Sequence, residues 1–532
     1  MKNILGFIQN RLQNVVNSKT ASIISGIVCA IPFVFEGAFL LSFIMYIPLF
    51  CLFYSNKEKG VNSVAFLYGF FFFMVGYSFL CELYPLDFAG FSPIEAVGVI
   101  GLALTAVPLI HGTLFVISFA VCRKITKGFS DVTKILVFPL IVVFSEYLQT
   151  LGPLAFPWCR VSIAQSEFLP FLQSASLFGS YFITYIVLLI NGLIAYAFLK
   201  PEKGKIPLVI AVTVFVVNTA FGVIRLALPD SSEGESFTAI SLQGNISSSS
   251  KWSGSVYDML DIYMDLAENS LDEAKNSGFS ENTLMLMPET ALPVTITGKS
   301  SIGSKIADFA DKNDVCFVAG AFSEQDGLSG NSLFMFDKNG GMSDAYSKRV
   351  LVPFGEFVPY RCFLTAIVPA LDDINMLSSD LYEGNDTYIF ETEAGKAGGI
   401  ICYESVFPKL CRESVNDGAE ILLVSTNDSW FGTSSALNHH LSASVIRAIE
   451  NGVPVIRAAN TGISALINRK GICVKTLEAD RRGYVCAELT KGVRTLYSYT
   501  GDVFLILCLA LILGCIIKQI KLNINNKTGK MS

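Results

Sequence analysis

The chain has 532 residues, of which 52% are hydrophobic, 42 are Phe and only 16% are charged. This apolar content exceeds what the core of a water-soluble enzyme of this length requires, so the composition excludes an ordinary soluble protein. The net charge of -6, without a basic cluster in the polar part of the chain, argues against a nucleic-acid-binding protein.

Long apolar runs lie before residue 229 and after residue 500. Most of them are about 18 residues or longer, the length that crosses the ~30 Å hydrocarbon core of a bilayer as a helix. In chain order the predicted segments are 22–35, 38–54, 61–81, 97–122, 135–152, 177–199, 206–228 and 503–517. The first two form either a hairpin that turns at Glu36-Gly37 or one long tilted helix. The sequence therefore predicts a multi-pass helical bundle of about eight crossings.

The charges of the connecting loops predict the orientation of the bundle. Lys and Arg collect near the N-terminus, at 57–59, 123–134 and 200–205, and after residue 517, whereas the opposite loops contain only Arg160. Because short cytoplasmic loops collect Lys and Arg, we expect the N-terminus to lie inside. The predicted parts are a bundle of about seven helices at 1–228, an extracytoplasmic domain at 229–500, and a membrane helix with a cytoplasmic tail at 501–532.

Residues 229–500 alternate short β-rich runs with helical stretches. Strands are predicted at 237–242, 283–287, 315–322, 332–336, 398–402, 421–425, 453–458 and 463–468. Helices are predicted at 257–276, 304–312, 407–416 and 437–451. This alternation is typical of one layered α/β domain, a fold that commonly places its chemistry at strand ends.

Three residues of this domain suggest nucleophilic catalysis. Cys402 ends a predicted strand and is the candidate nucleophile, while Glu289 could take its proton and Lys348 could stabilise an oxyanion. Each residue also has a purely structural interpretation. A Cys at the end of a strand often only packs. Glu289 could begin a helix, and Lys348 could be a solvated charge beside Arg349.

Few other residues of the chain are candidates for catalysis or metal binding. The cysteines of the polar domain show neither CxxC pairs nor zinc-ligand spacing, so we expect no metal and no cofactor. A single disulfide among them stays open. With only three His and no GxSxG motif in the chain, a serine hydrolase is disfavoured.

Longer motifs surround the three candidates. They are Leu242–Ile246, Lys251-Trp252, Pro288–Ala291, Tyr346–Pro359, Ile401–Glu404, Asn427–Gly432, Arg457–Ser464 and, in a membrane loop, Phe156–Trp158. In order and spacing they resemble the carbon-nitrogen hydrolase (nitrilase) superfamily, and the whole chain is similar to its membrane-bound acyltransferase branch. The resemblance implies an α-β-β-α sandwich with Glu289, Lys348 and Cys402 as a triad.

The same resemblance implies roles for further residues. Glu356 would support the triad, and Tyr403 and Glu404 would border the nucleophile. Trp252 and Trp430 would lie on mobile loops that govern access to the site.

The resemblance also implies a function and a location. Cys402 would take an acyl chain from a phospholipid as a thioester, and the α-amino group of a diacylglyceryl-cysteine apolipoprotein would then attack it. The enzyme would be integral to the bacterial cytoplasmic (inner) membrane, with its catalytic domain facing the periplasm. Two alternatives stay open: a membrane-anchored amidase that transfers its acyl group to water, and a non-catalytic lipid-binding or transport protein. Glu146, in an apolar segment, is predicted to face the bundle interior or a polar cavity, with its role open.

Overall fold

The computed structural model describes residues 18–54, 59–86, 91–229, 235–367 and 380–528. In these residues helices and turns precede position 229, all strands lie between positions 236 and 490, and one long helix follows. Every cysteine is a free thiol.

The membrane part is built from helices of unequal length. They are Lys19–Cys29, Ile47–Tyr54, Val61–Gly76, Pro93–Ile125, Asp131–Leu148, Leu169–Leu172, Ala175–Phe178, Ser180–Leu199, Lys205–Ala227 and, after the polar domain, Val503–Thr528. Four of these are long and apolar enough to cross a membrane, namely Pro93–Ile125, Ser180–Leu199, Lys205–Ala227 and Val503–Asn525. The count of about eight crossings stays a prediction.

The first two apolar runs are not one long helix. Lys19–Cys29 and Ile47–Tyr54 are separated by short 3-10 turns, and Gly37 between them has a φ of 76°. Glycine adopts that left-handed conformation without steric cost, which favours the hairpin alternative. The segment predicted from residue 177 begins at Ser180 instead, because Gly179, with a φ of 78°, interrupts the helix just before it.

The polar domain contains two six-stranded sheets. Their strands are β1 Ser236–Gln243, β2 Thr283–Leu286, β3 Cys316–Gln325, β4 Leu328–Phe336, β5 Tyr346–Ser347, β6 Ile389–Thr392, β7 Gly395–Ile401, β8 Ile421–Thr426, β9 Val455–Ala459, β10 Ser464–Ile467, β11 Cys473–Leu477 and β12 Gly483–Thr490. The orders are β12-β1-β2-β3-β4-β5 and β11-β10-β9-β8-β7-β6. In each sheet three central strands, β1-β2-β3 and β7-β8-β9, run parallel. Buried residues of both sheets share one core between them.

Helices cover the outer face of each sheet, which confirms the α-β-β-α sandwich. Val256–Asn276 and Ser301–Asn313 pack on the first sheet. Pro408–Asn416 and Ala436–Asn451 pack on the second sheet, and their core continues without a break into the membrane bundle. The short helices Ser248–Ser253, Arg361–Ile367 and Leu496–Thr500 complete the domain. The second helical layer therefore lies between a sheet and the bundle.

Hydrogen bonds fasten this second layer to the bundle. The Ser435 hydroxyl donates to the Phe33 carbonyl at 2.8 Å, and the backbone N–H of Ser180 donates to Glu450 at 2.6 Å. Farther along the chain, the Gln173 amide donates to the carbonyl of Lys470 at 3.1 Å. These ties hold the α/β domain on the bundle at several points.

Glu146 is buried within the bundle, as predicted. Its Oε1 accepts a hydrogen bond from the backbone N–H of Val161 at 2.8 Å, and its Oε2 accepts one from the Thr184 hydroxyl at 2.8 Å. Because Val161 follows the loop that carries Trp158, Glu146 fixes that loop to the helix Ser180–Leu199.

Candidate active site

The three candidate residues meet at the ends of three strands. Cys402 directly follows β7, Lys348 directly follows β5, and Glu289 lies three residues beyond β2. All three side chains are buried. The Lys348 ammonium lies 3.0 Å from Oε1 of Glu289, and both groups act electrostatically on the Cys402 thiol. The structure thus brings the side chains of Glu289 and Lys348 together although the two residues are 59 positions apart in the sequence.

The Glu289 carboxylate is held by donors on both of its oxygens. Besides Lys348, the Asn331 amide donates to Oε1 at 2.7 Å, and the backbone N–H of Asn427 donates to Oε2 at 2.9 Å. Burial alone would raise the pKa of Glu289, but the charge and hydrogen bond of Lys348, with a further contribution from Lys251, lower it below its usual range. Glu289 is therefore ionised at neutral pH and able to accept a proton.

Lys348 lies between two carboxylates. Its ammonium is 3.0 Å from Glu289 and 2.8 Å from Glu356, whose other oxygen accepts from the backbone N–H of Val352 at 2.8 Å. Asn331 bridges the same two carboxylates from β4. Burial would lower the pKa of Lys348, but the two carboxylates outweigh it and raise that pKa well above its usual range. The cation is permanent at any physiological pH.

Cys402 has an unusual backbone conformation. Its φ is 51°, in the left-handed region that residues other than glycine rarely adopt, and it begins the short 3-10 helix Cys402–Val406. Two contacts to its carbonyl oxygen hold it there, from the Ser405 hydroxyl at 2.9 Å and from Nε2 of His440 at 3.0 Å. Burial, and secondarily Glu289, raise the pKa of the Cys402 thiol far above its usual range. The resting thiol is protonated and needs a base.

A buried chain of Asp428, His440 and Arg457 lies next to Cys402. Oδ1 of Asp428 lies 2.8 Å from Nδ1 of His440, and Oδ2 of Asp428 accepts from Arg457 at 2.7 Å. Burial would raise the pKa of Asp428, but Arg457 and His440 hold it well below its usual range. Potential ligand atoms of Cys402, Asp428 and His440 lie within 4.8 Å of one another. Because the Asp428 oxygens and both His440 ring nitrogens already have protein partners, the chain acts as a support for Cys402.

The side chains of Glu404 and Tyr403 make structural contacts. Glu404 is fully buried and accepts four hydrogen bonds: from the Tyr346 hydroxyl at 2.7 Å and from the backbone N–H groups of Ile401 at 2.7 Å, Arg349 at 2.6 Å and Val350 at 3.2 Å. It thereby joins the end of β7 to the segment after β5, which sets Lys348 against Cys402.

Tyr403 faces the membrane bundle. Its hydroxyl donates to the carbonyl of Ala155 at 2.7 Å, and its ring lies 6.2 Å from that of Phe156. The next aromatic of that membrane loop, Trp158, lies 5.6 Å from the ring of His440. The loop 155–158 therefore packs directly against Tyr403 and His440, which adjoin Cys402.

The two tryptophans expected near the site lie on neighbouring short helices. Trp252 is 45% exposed on Ser248–Ser253, and Trp430 is half-buried on Ser429–Phe431. The hydroxyls of Ser248 and Ser429 are 3.2 Å apart and link the two helices. That these segments are mobile and govern access stays a prediction.

Sequence reasoning missed several residues of the site. Asn331, Lys251 and the Asp428–His440–Arg457 chain were not among the candidates. Lys251, Asp428 and Arg457 do lie within the quoted motifs, so those motifs were the available signal. Asn331 and His440 lie outside them, and only the fold brings them to the site.

Comparison with known proteins first defines the class. A model of the carbon-nitrogen hydrolase family matches residues 243–498, from the end of β1 to the last short helix of the sandwich. A second model, the apolipoprotein N-acyltransferase N-terminal domain, matches residues 25–193 of the bundle. The α/β domain is accordingly a carbon-nitrogen hydrolase domain joined to a specific membrane module.

Full-length relatives narrow the class further. An apolipoprotein N-acyltransferase of Geobacter metallireducens is 28% identical over 501 residues, which is 92% of each chain. One of Borreliella burgdorferi is 28% identical over 486 residues, or 88% of each chain. One of Bradyrhizobium diazoefficiens is 27% identical over 467 residues, or 84% of each chain. The chain belongs to the apolipoprotein N-acyltransferase family, and with its apolar helices it is a bacterial membrane protein.

Proposed function

We propose that this protein moves an acyl chain from a phospholipid to the α-amino group of the N-terminal diacylglyceryl-cysteine of apolipoproteins, through a thioester on Cys402. The observation that carries the proposal is the contact between the nucleophile and the bundle. Tyr403, next to Cys402, donates a hydrogen bond to the carbonyl of Ala155 in a membrane loop. Tyr403 and Ala155 belong to one continuous hydrophobic core. A lipid-using enzyme needs its thiol at the membrane, whereas a hydrolase of soluble amides does not.

In the first step the Cys402 sulfur attacks the ester carbonyl of the phospholipid. Glu289 takes the thiol proton, because it is an ionised carboxylate beside a protonated thiol. The Lys348 ammonium stabilises the oxyanion of the tetrahedral intermediate. When the carbon–oxygen bond breaks, the proton passes from Glu289 to the leaving glycerol oxygen, and lysophospholipid departs.

In the second step the α-amino group of the lipoprotein attacks the thioester. Glu289 takes the proton of the amine, the carbon–sulfur bond breaks, and Cys402 leaves as a thiolate that regains a proton from Glu289. The products are an amide and the free enzyme. Glu356 and Asn331 contribute by holding Lys348 and Glu289 at fixed separations in both steps.

We further propose that the α/β domain faces the periplasm from the inner membrane, with the chain divided at 1–228, 229–500 and 501–532. The Lys and Arg of the short loops support this orientation. A reporter that is active only in the periplasm should be active when fused after Thr500 and silent after Lys203. The reverse result would overturn the orientation.

The function is tested with the purified full-length protein and phospholipid alone. We expect the Cys402 peptide to gain the mass of one acyl chain, labile to hydroxylamine, with release of lysophospholipid. The thioester should persist until a diacylglyceryl-cysteine peptide is added, because a site that excludes water protects a reactive intermediate. The acyl chain should then appear as an amide on the peptide. Cys402→Ala is the control.

The same experiment separates the alternatives. Rapid release of free fatty acid without amide formation would favour the amidase. Absence of any acyl adduct on Cys402 would favour a lipid-binding or transport protein.

A further inference from the structure

Lys251 is a buried lysine beside the candidate active site, and neither of the two proposed steps uses it. It lies on the short helix Ser248–Ser253, where its side chain is 4% exposed while the adjacent Trp252 is 45% exposed. A lysine is rarely buried so completely unless its charge has a purpose or a partner.

The Lys251 ammonium contacts the turn that carries Glu289. It donates to the carbonyl oxygen of Glu289 at 3.1 Å and to the hydroxyl of Thr290 at 2.5 Å. Thr290 has a φ of 41°, a left-handed conformation that a β-branched residue adopts only under constraint. On another side of this turn the backbone of β3 is very close, since a Cβ on Gly320 would lie 2.2 Å from the carbonyl oxygen of Pro288. The turn is thus held between β3 and Lys251.

Both hydrogen-bond partners of Lys251 are neutral oxygens, so its charge acts beyond them. The carboxylate of Glu289 and the thiol of Cys402 are the groups that it influences. Burial lowers the pKa of Lys251 to about 8 against the opposing pull of these two groups, and Lys251 in turn contributes to the lowered pKa of Glu289. The charged groups around Glu289 are therefore two carboxylates, Glu289 itself and Glu356, and two ammonium groups, Lys348 and Lys251, while the Asp428–Arg457 ion pair lies near Cys402.

We infer that Lys251 is a positioning residue for Glu289: it fixes the turn that carries this base, supplies the second positive charge beside it, and ties the Trp252 helix to it. Removing the charge leaves two carboxylates with one ammonium beside a thiol that must lose its proton. Thiolate formation at Cys402 then becomes harder, and Glu289 gains a proton more readily. This inference deepens the proposed acyl transfer, and only its second test rests on that function.

The first test needs no substrate. Full-length protein is alkylated with iodoacetamide, and the Cys402 peptide is quantified by mass against the peptide of the exposed Cys81. We expect Lys251→Met to slow alkylation of Cys402 about tenfold or more, as for the loss of one preorganised charge. Lys251→Arg, which keeps the charge, should stay much closer to the unmodified protein. Lys299→Met, the same change at an exposed lysine, should leave the rate unchanged.

The pH profile separates a positioning role from a merely structural one. Glu289 is faced by Lys348, by Lys251 and by the Cys402 thiol, with Glu356 beyond Lys348. Loss of a nearby positive charge raises the pKa of a carboxyl group. The acid limb of the alkylation profile, where the rate falls as Glu289 is protonated, should therefore move to higher pH by roughly one unit in Lys251→Met. It should not move in Lys251→Arg or Lys299→Met. A folded Lys251→Met protein with an unchanged rate and an unchanged acid limb would overturn the inference.

The second test measures acylation by phospholipid in the same variants. Lys251→Met should slow thioester formation about as much as it slows alkylation. If the unmodified protein forms no thioester while the alkylation limb still moves in Lys251→Met, the proposed function fails and the role of Lys251 stands. If thioester formation and the limb are both normal in Lys251→Met, the role of Lys251 fails and the proposed function stands.

Discussion

The two helical layers of the sandwich differ in what covers them. The helix Val256–Asn276 buries 7 of its 21 residues, so it has one apolar stripe and a charged face in solvent. The helix Ala436–Asn451 buries 14 of its 16 residues, including Arg447 and Glu450. An ordinary amphipathic helix would expose those charges. Here the bundle covers them, and the backbone N–H of Ser180 bonds to Glu450 at 2.6 Å.

Cys402 follows a strand of the sheet on which the bundle-covered helices pack, whereas Glu289 and Lys348 follow strands of the other sheet. His440 of the helix Ala436–Asn451 contacts the carbonyl of Cys402 and the ring of Trp158. Tyr403 reaches Ala155. The bundle is therefore part of the support of Cys402 as well as an anchor.

The largest effects should come from the three residues at which both sheets meet. Cys402→Ser should abolish the acyl-enzyme, because an alkoxide is far harder to form than a thiolate. Lys348→Met should slow acylation on the order of 10²-fold or more through loss of the oxyanion partner, and Glu289→Gln should do the same through loss of the base. Single-turnover acylation, followed by mass, measures each. Near-normal turnover in any variant would remove that residue from the mechanism.

A smaller effect, on stability, should appear on the bundle-covered helix. Arg447 and Glu450 are fully buried and form an ion pair of 3.0 Å. Arg447→Met leaves Glu450 without that partner and should cost about 3–5 kcal/mol, measured by denaturation in detergent. Arg447→Met combined with Glu450→Gln should recover part of this loss, because no unpaired charge is then buried. Strictly additive losses in the double variant would show that the two residues do not act as a pair.

The smallest effect should appear on the solvent-facing helix. Glu268 is exposed on Val256–Asn276. Glu268→Gln should change the free energy of unfolding by less than about 0.5 kcal/mol and leave acylation unchanged. A loss well above about 1 kcal/mol would mean that something covers this face, and the contrast between the two layers would fail.

Much of the fold followed from local pattern. The central strands of both sheets are buried on both faces and therefore appear as short, nearly continuous apolar runs, which is why β1, β2, β3, β7, β8 and β9 were predicted. Four strands, β5, β6, β11 and β12, were missed. β5 has two residues, β6 only four, and β11 is largely exposed, so they carry little pattern of their own. Their pairing with neighbouring strands creates them.

The amino-acid sequence by itself determined the apolar segments, the layered α/β domain and the candidate triad. The first two depend on patterns of residues close together in the chain, and the triad depends on motifs of fixed order. The tertiary structure decided which distant groups surround that triad. Asn331 reaches Glu289 across 42 residues, and Tyr403 reaches Ala155 across 248. Neither contact produces a local periodicity in the sequence from which it could be predicted. The polar residues of Ala436–Asn451 likewise look solvent-exposed until the bundle packs on them, because burial is a property of what lies opposite a residue in space.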